Sequence, residues 1–157
     1  MLFTLVLAAG SLSGQDSGES GNQTPNPEDL GDQALNTQVV ELVNENEFLE
    51  ARPFLLEMKK RMEEQEDGAQ EDGAQEDKER MEPISFFLAS SYLQEYQETD
   101  DKDALQTAVE SFEEYIEEFP EGPRKTIARL NLGDAYSDLK EYDKAIEVYE
   151  AIYDSPS

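Results

Sequence analysis

The chain of 157 residues carries 38 Asp plus Glu against 12 Lys plus Arg, a formal net charge of −26, and contains neither Cys nor His. That charge repels nucleic-acid phosphate and anionic lipid headgroups, and the densest basic clusters, Lys59-Lys60-Arg61 and Arg124-Lys125 with Arg129, are too small to reverse it. Without thiol or imidazole the chain lacks Cys and His nucleophiles, imidazole acid–base chemistry and the usual zinc ligands.

Leu2-Phe3-Thr4-Leu5-Val6-Leu7-Ala8-Ala9 is an apolar run followed by the small residues Gly10-Ser11-Leu12-Ser13-Gly14. It has the core and exit of a secretory signal, although no Lys or Arg precedes it. At about 1.5 Å of rise per residue it is too short to cross roughly 30 Å of hydrocarbon. Residues 1–13 are therefore expected to be a signal peptide, cleaved near Ser13 or Gly14. Ser11 stands where lipidation would need Cys, so export without a lipid anchor is expected. Residues 14–32, rich in Gly, Ser, Asn, Pro and acids, read as a disordered linker.

Val39, Leu42 and Val43, then Phe48, Ala51, Leu55 and Met58, recur at helical spacing and predict a helix pair over 33–62, with Pro53 in the first turn of its second helix. Residues 63–80 contain a five-residue tandem duplication within Gln65–Asp77 that holds no apolar residue larger than Ala. Such a segment buries too little surface to offset its ordering, so a solvated acidic loop is expected. Its Glu-Asp neighbours do not converge as the ligands of an EF-hand loop do, which favours a spacer over a calcium site.

Residues 81–157 read as two further helix pairs. In the last, Ile127, Leu130, Leu132, Ala135, Tyr136 and Leu139 form one amphipathic stripe. Tyr142, Ala145, Ile146, Tyr149, Ile152 and Tyr153 form a second, and Pro156 follows it. Gly133 and Ala145 are the small residues that let the two backbones approach. Leu88, Ala89 and Tyr92 precede Leu132, Gly133 and Tyr136 by 44 positions, while Leu105, Ala108 and Phe112 precede Tyr142, Ala145 and Tyr149 by 37. The difference of 7 predicts an insertion at Glu98–Asp103. Acids such as Glu113, Glu114, Glu117 and Glu118 are expected on the solvent face. No Gly-rich phosphate loop, nucleophile elbow or metal motif occurs.

Leu132-Gly133 with Tyr136, then Tyr142, Ala145 and Tyr149, then a terminal Pro, resemble the tetratricopeptide repeat, whose period is about 34 residues. Arg129 and Ile152 depart from the pattern, standing where the family has a bulky aromatic and Ala. The string Phe112-Glu113-Glu114-Tyr115-Ile116-Glu117-Glu118-Phe119-Pro120 is similar to members from the cell envelope. The resemblance implies an all-α fold, an α-solenoid of about three antiparallel helix pairs. Leu132, Gly133, Tyr136, Tyr142, Ala145, Tyr149, Leu88, Ala89, Tyr92, Ala108 and Phe112 would be its structural positions.

The family binds on a concave face lined by the first helix of each pair. The resemblance places Leu130, Asn131, Asp134, Ser137 and Asp138 there, with Phe86, Ser90, Leu93 and Gln94 in the preceding unit. It implies a protein or peptide partner and no catalysis, cofactor, metal or small-molecule substrate. The members most alike are tetratricopeptide lipoproteins of outer-membrane β-barrel assembly and the Tol-Pal coordinator. The implied setting is the periplasm or the outer-membrane periphery, or the exterior if the protein is secreted. A self-assembling repeat protein and a secreted acidic cation buffer are the alternatives. With no polar capping helix before Ser157, the array is expected to continue beyond this chain, or to dock or self-associate through its open end.

Overall fold

The computed structural model describes residues 24–66 and 74–153. Among them the fold is all-α, with a 3-10 turn at Pro27–Asp29 and six helices. These are α1 (Asp32–Asn44), α2 (Phe48–Glu66), α3 (Ala74–Thr99), α4 (Lys102–Glu118), α5 (Lys125–Asp138) and α6 (Tyr142–Tyr153). The expected signal peptide, most of the linker, the centre of the acidic tandem and Pro156 lie outside the described residues.

The helices pack in chain order, each chiefly on the one before and the one after it. Three connections, α1–α2, α3–α4 and α5–α6, are tight and turn on a non-glycine residue in the left-handed region: Asn46 (φ 62°), Asp100 (φ 57°) and Lys140 (φ 64°). In the first and third, the amide three residues beyond the helix end reaches back, Glu47 to the Leu42 carbonyl and Glu141 to the Tyr136 carbonyl, both at 2.9 Å. Such bonds satisfy the carbonyls that a helix end leaves unpaired. Asp101 caps the start of α4 by accepting the Asp103 amide at 2.9 Å.

The core follows from helical periodicity. Ala104, Leu105, Ala108, Val109, Phe112 and Tyr115 recur at three- and four-residue steps on α4, and all are buried. They meet Ile84, Phe86, Leu88 and Ala89 of α3, and the cluster continues to Phe54 and Leu55 of α2, Leu35 and Val39 of α1, and Leu132, Ala135 and Tyr136 of α5. The Phe86 ring makes edge contacts with Phe112 (centroids 6.1 Å) and Tyr115 (5.6 Å). At Gly133 the helices α5 and α6 come so close that a Cβ would stand 2.4 Å from the Tyr149 ring.

Polar bonds repeat along this stack. The hydroxyl of Tyr115 on α4 donates to Glu82 on α3, that of Tyr136 on α5 to Glu113 on α4, and that of Tyr149 on α6 to Asp134 on α5. Glu82 is only 5% exposed and also receives Arg124. Between α2 and α3 the role passes to Arg52. Its guanidinium bonds the Ser91 hydroxyl (2.8 Å), the Ser91 carbonyl (2.7 Å) and Glu95 (2.7 Å), and lies over the Tyr92 ring.

Several expectations are corrected. The 63–80 stretch is not a loop throughout: α2 runs to Glu66 and α3 begins at Ala74. Glu, Gln, Ala, Lys and Arg are strong helix formers, and beyond the buried anchors Met62 and Met81 each added residue extends an existing helix without a new nucleus. The 14–32 linker ends in order, because Arg61 bonds Asp32 (2.9 Å) and the Leu30 carbonyl (2.8 Å) and holds the Pro27–Asp29 turn against α2. Pro53 is the sixth residue of α2 rather than part of its first turn. The helix starts early because the Gln94 side chain accepts the Leu49 amide at 2.9 Å and Phe48 stacks on Phe87 (5.7 Å).

The seven extra residues do not form a loop at Glu98–Asp103. Asp100 and Lys140, the two left-handed residues, are 40 positions apart, so four of the seven precede the turn and three follow it. Each share is close to one helical turn of 3.6 residues, and α3 and α4 are both lengthened. Glu113 is not merely solvated, since it accepts Tyr136. Tyr142 does not fill the space beside Gly133: it stands 59% exposed at the start of α6, and Tyr149 occupies that space. Ile127 and Leu130 of the first stripe are exposed as well, and so are Ile146 and Tyr153 of the second.

Two predictions test these contacts. Replacing a helical Gly by Ala ordinarily gains about 1 kcal/mol of helix propensity, whereas overpacking costs about 1–3 kcal/mol. Gly133→Ala should therefore destabilise the protein with Tyr149 present and stabilise it in a Tyr149→Ala background, read as a sign reversal in urea unfolding. The second concerns alkali. The Tyr115 and Tyr136 hydroxyls are pushed well above the ordinary tyrosine range, first by burial and then by the bonds to Glu82 and Glu113. Unfolded tyrosines lose their protons near pH ~10 while these two keep theirs, so the stability they contribute is complete below that pH and is lost as pH rises beyond it. Between about pH 9 and 11 the wild type should lose more unfolding free energy than Tyr115→Phe/Tyr136→Phe; equal losses would remove the tyrosines as the cause.

Candidate partner-binding groove

A groove of about 410 Å³ runs between α3, α5 and the α1–α2 turn. Phe48, Phe86, Leu93 and Ile127 supply its apolar surface. Its polar lining consists of the carboxamides of Asn46, Gln94, Gln97 and Asn131 and the Ser90 hydroxyl. No lining residue carries a charge, in a chain whose formal net charge is −26.

Local structure explains how each side chain reaches the groove. Phe86, Ser90, Leu93, Gln94 and Gln97 fall on one face of α3 at three- and four-residue steps, as do Ile127 and Asn131 on α5. Asn46 and Phe48 flank the turn between α1 and α2, where the left-handed backbone at Asn46 reverses the chain. Gln94 has a dual attachment: its oxygen takes the Leu49 amide, and its nitrogen donates to Glu98 at 3.0 Å. Chemically, carboxamides both donate and accept hydrogen bonds, and apolar side chains between them take up hydrocarbon. That combination suits a polypeptide backbone carrying apolar side chains.

Of the positions expected on the concave face, Phe86, Ser90, Leu93, Gln94 and Asn131 converge here. Phe86 and Ser90 are buried rather than exposed, Phe86 because it packs on Phe112 and Tyr115, Ser90 because its hydroxyl bonds the Phe86 carbonyl at 2.9 Å. Leu130, Asp134, Ser137 and Asp138 do not line the groove. Asp134 accepts the Tyr149 hydroxyl, and Ser137 bonds the Gly133 carbonyl at 3.0 Å, so both serve α5 and its junction with α6. Four lining residues lay outside the sequence expectation: Asn46, Phe48, Gln97 and Ile127. Gln97 and Ile127 were accessible to it, three residues beyond Gln94 and four before Asn131. Asn46 and Phe48 were not, because only the tertiary fold brings the α1–α2 turn to α3.

A larger recess, about 670 Å³, lies between the start of α3 and the α4–α5 connection. It is lined by Pro83, Phe119, Pro120 and Pro123 together with Lys78, Glu82 and Arg124. Its Glu82 and Arg124 bond each other, which commits them to holding α3 against that connection. The α3–α5 groove is therefore the stronger candidate for a protein ligand, despite its smaller volume.

Comparison with family models, with curated proteins and with solved structures finds no match to this chain.

Proposed function

We propose that the chain is an exported, non-enzymatic helical-repeat adaptor of the tetratricopeptide type that holds a partner protein in the α3–α5 groove. The observation that carries this reading is the neutral lining: the groove concentrates carboxamides and apolar side chains in a strongly acidic chain. A surface meant only to stay solvated has no reason to exclude charge. A surface that must give up water to a partner does, because stripping water from an unpaired charge is costly. The chain-ordered helix pairs and the Leu-Gly…Tyr and Tyr…Ala…Tyr landmarks support the repeat assignment. The apolar run before Gly10 supports export, with the periplasm or outer-membrane periphery as the setting.

A second reading rests on α6. Tyr142, Ile146 and Tyr153 are 59%, 54% and 91% exposed on that helix, an apolar surface that self-association would cover.

Both readings are tested by replacing Asn131 in the groove, Ile146 on α6 and the exposed Glu114 of α4, one at a time, with a photo-crosslinking amino acid in cells. The adaptor reading predicts an adduct with another protein from position 131 and none from position 114. Adducts solely between copies of the chain, from position 146, would replace it with self-assembly.

A further inference from the structure

Carboxylates adjoin the groove where the α1–α2 turn meets the end of α3. Glu47 sits between the lining residues Asn46 and Phe48, and Glu98 follows Gln97 and takes the Gln94 amide. Glu45 and Glu50 complete the group. All four are exposed. Glu47 holds its proton more tightly than an ordinary carboxylate, first through the charge of Glu50, then through a hydrogen bond with it, then through burial and the charges of Glu45 and Glu98. Glu47 thus feels the negative charge of each of the other three acids.

The basic side chains that next follow Glu50 and Glu98 in the chain, Arg52 and Lys102, are already engaged. Arg52 is held by Glu95 and Ser91. Lys102 bonds the Tyr96 hydroxyl at 2.9 Å and pairs with Asp100 at 3.4 Å.

We propose that the occupant of the groove is a peptide segment with an apolar stretch and Lys or Arg at one end, the cationic end lying against Glu45, Glu47, Glu50 and Glu98. The inference rests on the adaptor reading above and adds the chemistry of the partner. Charge complementarity selects this occupant. A second copy of the chain brings another −26, and an anionic membrane surface is repelled in the same way. A basic-ended peptide is drawn in by the field of the whole chain and relieves the local repulsion, while its apolar part and backbone meet the neutral lining. The division of labour is spatial: carboxylates at the turn end of the groove, carboxamides and rings along it.

The test is a bead-bound library of random dodecapeptides screened against the full chain, with the retained peptides sequenced. The expected result is enrichment of Lys or Arg at one end of peptides with two or more apolar residues elsewhere. A retained peptide should bind about tenfold more weakly to Glu47→Gln/Glu50→Gln/Glu98→Gln, and raised salt should weaken its binding to the wild type more than to that variant. Gln97→Trp and Asn131→Trp, which fill the groove from α3 and from α5, should each abolish binding, with circular dichroism confirming that both remain folded. Peptides that need the groove but show no basic enrichment, or that bind the triple variant unchanged, would overturn the inference about the occupant and leave the adaptor reading standing. Retention of nothing, or binding indifferent to both tryptophan variants, would overturn the two together.

Discussion

A chain with 38 carboxylates and 12 cations cannot pair most of its acids with bases, and the way its helices are tied together follows from that shortage. From α4 onward each helix sends a tyrosine hydroxyl to a carboxylate on the helix before it: Tyr115 to Glu82, Tyr136 to Glu113, Tyr149 to Asp134. Tyrosine suits the task because its ring fills core volume while its hydroxyl donates at the rim. A hydrogen bond to a charged acceptor contributes about 1.5–3 kcal/mol, more than a neutral one, and its direction fixes how one helix sits along the next. Glu82, the most deeply buried of these acceptors, is also joined by Arg124, which anchors the connection into α5. The same shortage explains why Arg52 and Arg61 each gather several acceptors rather than one.

The ladder sets the spacing of α3, α4 and α5, and hence the groove. Ile127 and Asn131 face the α3 side chains because α5 is held on α4 by Tyr136, and α4 on α3 by Tyr115. The lengthening of α3 and α4 acts on the same site. The added turn of α3 falls after Tyr92 and before Asp100, the stretch that carries Gln97 and Glu98. Four of the seven extra residues are therefore the part of α3 that extends the groove and brings its acidic end toward Glu47.

Much of this fold was legible because helical periodicity is a local signal. The stripe of α4 and the close approach at Gly133 can both be read from spacing, and the buried positions follow them. What escaped depended on contacts distant in the chain. The early start of α2 depends on Gln94, 45 residues away, and the order of the Pro27–Asp29 turn depends on Arg61. The extent of α2 and α3 into the acidic tandem was missed for a different reason: lack of apolar surface argues against an independent element, but not against the extension of a helix anchored elsewhere. At the groove, the α3 and α5 positions were partly legible from register. The contribution of Asn46 and Phe48 required knowing that the first hairpin folds back on α3.

The neutrality of the groove gains its meaning from the charge around it. A strongly acidic surface keeps like molecules apart and raises the encounter rate with cationic ones, but a carboxylate pressed against a partner and stripped of water must find a donor or cost stability. Carboxamides avoid that dilemma, since Asn46, Gln97 and Asn131 can each turn an N–H or a C=O toward a backbone running in either direction. On the proposed reading, attraction and holding fall to different side chains, the acids acting at a distance and the amides and rings acting in contact. Long-range charge governs which partners arrive, and the contact surface governs how long they stay. A chain built this way can carry an extreme net charge while keeping the lining of the groove free of it.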